Sequence, residues 1–87
     1  MMEIKMEKFG QRLKMLRNEK NLTQKAMAEF LEKTERHYQD MEAGKINIPG
    51  VTLIKLADFF GVSLDYLVGR EEDRRGKFYG KSDVALR

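Results

Sequence analysis

The sequence predicts an all-α fold, five short helices packed as an orthogonal bundle, and three observations carry that reading. Apolar residues recur at three- and four-residue spacing through most of residues 6–69, with no strand-like alternation and no internal repeat. Cap and stop residues punctuate this pattern at short intervals: Thr23, Thr34 and Ser63 at starts, Asn21, Gly44, Gly61 and Gly69 at ends. A length of 87 residues suits one domain with a modest core rather than a deep substrate cavity.

The elements follow in chain order. Met6, Phe9, Leu13 and Leu16 share one face and predict a first helix over residues 7–20. Asn21, which tolerates the left-handed conformation, ends it. Thr23 then caps a second helix over 24–31, with Met27, Ala28 and Leu31 facing inward. Neither Gly nor Pro forces the next break at Glu32 and Lys33, but Thr34 again reads as an N-cap. It starts a third helix over 35–43 that places Tyr38 and Met41 in the core and stops at Gly44.

Val51, Leu53, Ile54, Leu56, Ala57 and Phe60 build the fourth and most apolar helix, with Pro49 just before or within its first turn. Ser63 caps a short fifth helix in which Leu64, Leu67 and Val68 supply apolar contacts. The methionines and Phe59, Phe60 and Tyr66 are read as core. Residues 1–69 thus form the domain. From Arg70 the chain (REEDRRGKFYGKSDVALR) is charged and nearly free of core residues, so 70–87 is expected to be a mobile tail or conditional extension.

Composition narrows the function. Without cysteine there are no disulfides or thiolate metal sites. No apolar run approaches the ~20 residues needed to span a bilayer, and the charged start MMEIKMEKFG lacks a signal-peptide core. The cytoplasm is the default compartment. His37 is the single histidine, and no nucleophile–base pair or phosphate-cradling glycine loop is present. An enzyme, a metal site, a cofactor and a small-molecule ligand are therefore not expected.

The net charge of +3 is weakly informative, because residues 1–69 carry 11 Lys/Arg against 10 Asp/Glu and residues 70–87 carry 6 against 4. Locally, Lys5, Lys8, Arg12, Lys14, Arg17, Lys20 and Lys25 face only Glu7 and Glu19. Such a cluster is either a phosphate-attracting patch or an ordinary solvated helix surface.

Residues 22–45, LTQKAMAEFLEKTERHYQDMEAGK, describe two short helices joined by a tight turn. Arg, His and Gln on the second have little use in a core and suit the major groove of DNA. From Phe9 to Gly69, roughly two-thirds of the chain, the sequence resembles the phage-repressor/Cro-like (XRE-type) helix-turn-helix family. The carriers are LTQ at 22–24, Ala28 at the close helix crossing, MEAGK at 41–45 and LADFFGVSLDYLVGR at 56–70.

The resemblance implies a five-helix bundle of the repressor-like DNA-binding type. It further implies a sequence-specific transcriptional regulator, a repressor bound to a two-fold operator on double-stranded DNA as a homodimer. It places Glu35, Arg36 and Asp40 at base-facing positions, with Gln39 beside them. Arg36 can pair bidentately with guanine, and Glu35 and Asp40 can accept from cytosine N4. Gln24 at the start of the second helix is assigned to a phosphate, with Lys25 beside it, and Lys45 and Asn47 to the sugar-phosphate backbone. His37 is a surface helix residue or a backbone contact. Glu42 is expected to pair with Arg17 and orient the third helix.

Three positions depart from the family pattern, one of them Pro49, which stands one step later than expected. Glu32 stands where the turn commonly has Gly, and Lys33 where an apolar residue follows, so a reshaped or widened turn is expected. Glu35, Asp40 and Glu42 outweigh Arg36 and Lys45, which repels phosphates. That acidity supports an alternative: a repressor-like protein-interaction module, of antitoxin or anti-repressor type, with weak or no DNA binding.

Overall fold

Three of the five helices are opened by hydroxyl caps. In the computed structural model, which describes residues 6–75, the helices are α1 (Met6–Glu19), α2 (Gln24–Leu31), α3 (Glu35–Glu42), α4 (Gly50–Phe60) and α5 (Leu64–Leu67). Thr23 Oγ1 accepts from the Ala26 amide at 2.9 Å, Thr34 Oγ1 from His37 at 3.0 Å and Ser63 Oγ from Tyr66 at 2.9 Å. Each such cap is worth about 1 kcal/mol. Helix α4 opens behind Pro49, which offers no side-chain acceptor.

All five helices end in the same way. A residue with positive φ follows each one (Asn21, Glu32, Gly44, Gly61 and Gly69). The next amide then reaches back five residues, as in Leu22 N to Arg17 O and Lys33 N to Ala28 O. The turn between α2 and α3 is therefore not widened. Glu32 adopts φ 59 and ψ 42, the ordinary left-handed closing geometry. Bonds from the Glu32 and Lys33 amides hold it there against a cost of about 1 kcal/mol for a side chain in this region.

The core gathers Phe9, Leu13 and Leu16 of α1, Met27, Ala28 and Leu31 of α2, and Tyr38 and Met41 of α3. Leu53, Leu56 and Ala57 of α4, Tyr66 and Leu67 of α5, and Val68 complete it. Helix α3 packs between α1 and α2, while α5 joins α4 to α1. Several apolar residues lie outside this core, contrary to expectation. Val51 and Ile54 are 76% and 51% exposed, because a helix buries one stripe and Leu53, Leu56 and Ala57 already occupy it. Leu64, Met15 and Phe59 are also exposed. Phe59 stacks on Phe30 (centroids 4.6 Å apart) and meets the Phe60 ring edge-on in a satellite cluster.

The charged segment after Gly69 lies against the bundle over its described part, residues 70–75; Lys5 and the tail beyond Arg75 lie outside the described residues. Arg12, buried on α1, stacks 4.0 Å from the Tyr66 ring centroid. Its Nη1 donates to the carbonyls of Tyr66 (2.5 Å) and Glu71 (2.6 Å), and its Nη2 to Glu72 (2.9 Å). Lys8 also reaches Glu72, at 3.2 Å. Arg74 pairs with both carboxylate oxygens of Glu19, and its carbonyl accepts from the Ser63 amide. The charge cluster on α1 is thus not one open patch. Lys8, Arg12 and Arg17 are paired within the protein, which leaves Lys14, Lys20 and Lys25 on the surface.

Candidate nucleic-acid interface

Helices α2 and α3 are eight residues each, joined by the Glu32–Lys33–Thr34 turn. Ala28, buried at their crossing, has no side chain beyond Cβ to hold them apart. Burial of Tyr38 and Met41 turns the opposite face of α3 outward. That face carries Glu35, Arg36 and Gln39, all exposed, with Asp40 half-buried at its edge. The Arg36 side chain is 82% exposed, and its Nε lies 3.8 Å from Asp40 Oδ1 one helical turn on.

The other surface residues fall into two groups. Gln24 and Lys25 stand at the start of α2, where the first amides have no intrahelical acceptor. Lys25 is exposed and Gln24 half-buried. His37 and Asn47 line one cleft of about 200 Å3 with Lys33, Met41, Ile48, Pro49 and Thr52. Arg36 does not line this cleft. Lys45 is exposed directly after the Gly44 stop.

Glu42 points inward, beneath the surface of α3. Its carboxylate lies 2.5 Å from Arg17 Nε and 3.2 Å from Arg17 Nη2, and their side chains are only 5% and 11% exposed. Arg17 Nη1 also donates to the Leu22 carbonyl at 2.8 Å, which ties the pair to the α1–α2 turn. Gln24 Nε2 donates to Glu42 Oε1 at 3.1 Å. One carboxylate thereby joins α1, α2 and α3.

Burial opposes ionisation of Glu42, but hydrogen bonds led by those from Arg17 more than offset it and hold its pKa below the usual carboxylate range. The same contact raises the pKa of Arg17 further. The Tyr38 hydroxyl sits beside this pair, buried and without a hydrogen bond of good geometry among the described residues. Burial first and the Glu42 carboxylate second push its pKa far up, so it stays neutral. With Glu42 matched by Arg17, the surface charges of Glu35, Arg36, Asp40 and Lys45 cancel. The acidic excess counted from the sequence is therefore not presented at the surface.

Gly10 is a residue whose part in this site the sequence analysis missed. A Cβ at Gly10 would collide with the Glu42 carbonyl and crowd the Gly44 amide. Glycine here lets α1 and the end of α3 touch backbone to backbone. The signal was a lone glycine inside a helical pattern, which usually has a packing reason. The tie between Gln24 and Glu42 had no such signal.

A tight two-helix corner with a polar outward stripe, braced by a buried ion pair to a third helix, defines the helix-turn-helix class of domain. The model of a helix-turn-helix family matches residues 13–67, and the chain belongs to that family, of the XRE type. Two relatives come from Bacillus subtilis (strain 168). The SPbeta prophage-derived HTH-type transcriptional regulator YonR is 43% identical over 60 residues, 69% of this chain and 56% of that protein. The HTH-type transcriptional regulator YqaE is 37% identical over 67 residues, 77% of this chain and 58% of that protein. The chain thus spans less than two-thirds of the length of these curated relatives.

Proposed function

We propose that this chain is a DNA-binding transcriptional regulator that lays α3 in the major groove. The observation that carries the reading is the outward stripe of Glu35, Arg36, Gln39 and Asp40, seated on the buried Arg17–Glu42 pair. Arg36 reads guanine O6 and N7, held in place by Asp40, with discrimination of about 1–3 kcal/mol. Gln39, Glu35 and Asp40 contribute the neighbouring base contacts. Gln24, Lys25, His37, Lys45 and Asn47 grip phosphates, and the charges of Lys25 and Lys45 supply the salt dependence. The Arg17–Glu42 pair fixes the angle of α3.

The regulator acts in the cytoplasm as a repressor and binds as a homodimer to a two-fold operator. One small domain makes few phosphate contacts, so pairing supplies the missing affinity. Half-sites then lie about 34 Å apart on one DNA face.

Selection of bound sequences from random DNA, followed by binding at graded salt, tests the reading. The expected result is a palindromic consensus with a guanine required in each half-site, and affinity that falls steeply with salt. Absence of DNA retention even at low salt would instead support the protein-interaction module.

A further inference from the structure

Glu42 does more than pair with Arg17. Its Oε2 is taken by Arg17 Nε, and its Oε1 receives both Arg17 Nη2 and Gln24 Nε2. A carboxylate only accepts hydrogen bonds, so the contact with Gln24 dictates which end of that carboxamide faces inward. The NH2 group must turn to Glu42, and it remains an obligate donor because Glu42 stays ionised. That nitrogen carries two hydrogens. One is spent on Glu42, and the other diverges from it in the amide plane. Gln24 is the first residue of α2 and only half-buried, so this second N–H is not sealed inside the core.

We propose that Glu42, pinned by Arg17, is a positioning residue for phosphate recognition, holding the Gln24 carboxamide so that its second N–H meets a DNA phosphate oxygen. This rests on the DNA-binding reading above and deepens it. The ion pair that sets the angle of α3 also sets the grip of α2, so a shift of α3 loosens both. A sequence that draws α3 fully into the groove is therefore rewarded by a phosphate contact that a poorly fitted sequence lacks. Gln24 adds to sequence discrimination without touching a base.

The test uses the full chain and the DNA sequence recovered by selection. In 15N NMR spectra of the free protein, one Gln24 side-chain N–H is expected to exchange slowly and the other quickly. On adding the DNA, the fast one shifts and becomes protected. Gln24→Met is expected to weaken binding about fivefold per site with an unchanged salt slope, because the lost donor is neutral. In a Glu42→Gln background, the same change is expected to cost almost nothing further. Equal, fast exchange of both Gln24 protons in the free protein overturns the proposal without recourse to any variant. So do costs of Gln24→Met and Glu42→Gln that add, or a Gln24→Met variant that binds as wild type. A wild-type chain that never binds DNA in a salt-dependent way overturns the DNA reading, and this proposal with it. A chain that binds DNA but shows additive costs overturns this proposal alone.

Discussion

Replacing Glu42 by Gln is the most informative single perturbation of this protein. The change keeps size and shape, but it removes the charge opposite Arg17 in a site where both side chains are almost fully buried. Losing one member of a buried pair costs about 3–5 kcal/mol, since it strands the other charge away from water. Glutamine retains one acceptor oxygen for Arg17, and Arg17 keeps its bond to the Leu22 carbonyl. The expected loss therefore falls below that range, at about 2–3 kcal/mol. For a domain of this size that lowers the thermal midpoint by about 10–20 °C.

The assay is denaturant and thermal unfolding of wild type, Glu42→Gln, Arg17→Met and the double variant Arg17→Met/Glu42→Gln. The double variant is expected to be more stable than the sum of the single losses predicts, because neither charge is then stranded. The dependence on pH has a definite sign. Glu42 has a folded pKa below its ordinary value. Its contribution is thus complete above the ordinary carboxylate range and is lost as pH falls through the folded value. The gap between wild type and Glu42→Gln is expected to be flat at neutral pH and to narrow in acid. Single losses below about 0.5 kcal/mol, or full additivity in the cycle, would refute the view of Glu42 as the brace of α3.

Gly10→Ala in the interior of α1 would ordinarily stabilise a helix by about 1 kcal/mol. Here the new Cβ meets the Glu42 carbonyl, so a loss of about 1–3 kcal/mol is expected in unfolding experiments. Gly50→Ala, with open space around it, serves as the control and is expected to be neutral or stabilising. Equal behaviour of the two variants would show that α1 and α3 do not meet at Gly10. Glu32→Gly removes a side chain from the left-handed region and is expected to raise stability by up to about 1 kcal/mol, read as a higher denaturation midpoint. A lower midpoint would mean that the Glu32 side chain contributes more than its backbone strain costs.

Much of the molecule was legible in the chain because its signals are local. Thr23, Thr34 and Ser63 stand at caps, and the turn residues end helices, because each satisfies backbone groups within a few positions of itself. Periodicity at three and four residues found the cores of α1, α2 and α3 for the same reason. It overreached in α4 and beyond, where apolar character alone could not say that Val51, Ile54, Phe59 and Leu64 face solvent. Burial depends on which stripe a neighbouring helix covers, and no local pattern carries that.

By itself, then, the sequence determined the number, order and limits of the helices and the outward polar stripe of α3. Tertiary packing decided the rest. It brought Arg17, Gln24 and Glu42 together from three helices, 25 positions apart at the widest. It chose Gly10 as the point where two backbones touch, and it drew Lys8 and Arg12 into ion pairs with Glu72. It also turned a segment, residues 35–45, that counts as acidic on paper into one whose surface charges balance. Charge is a property of composition, but the charge a partner meets depends on which groups are neutralised inside, and that depends on contacts between residues distant in the chain.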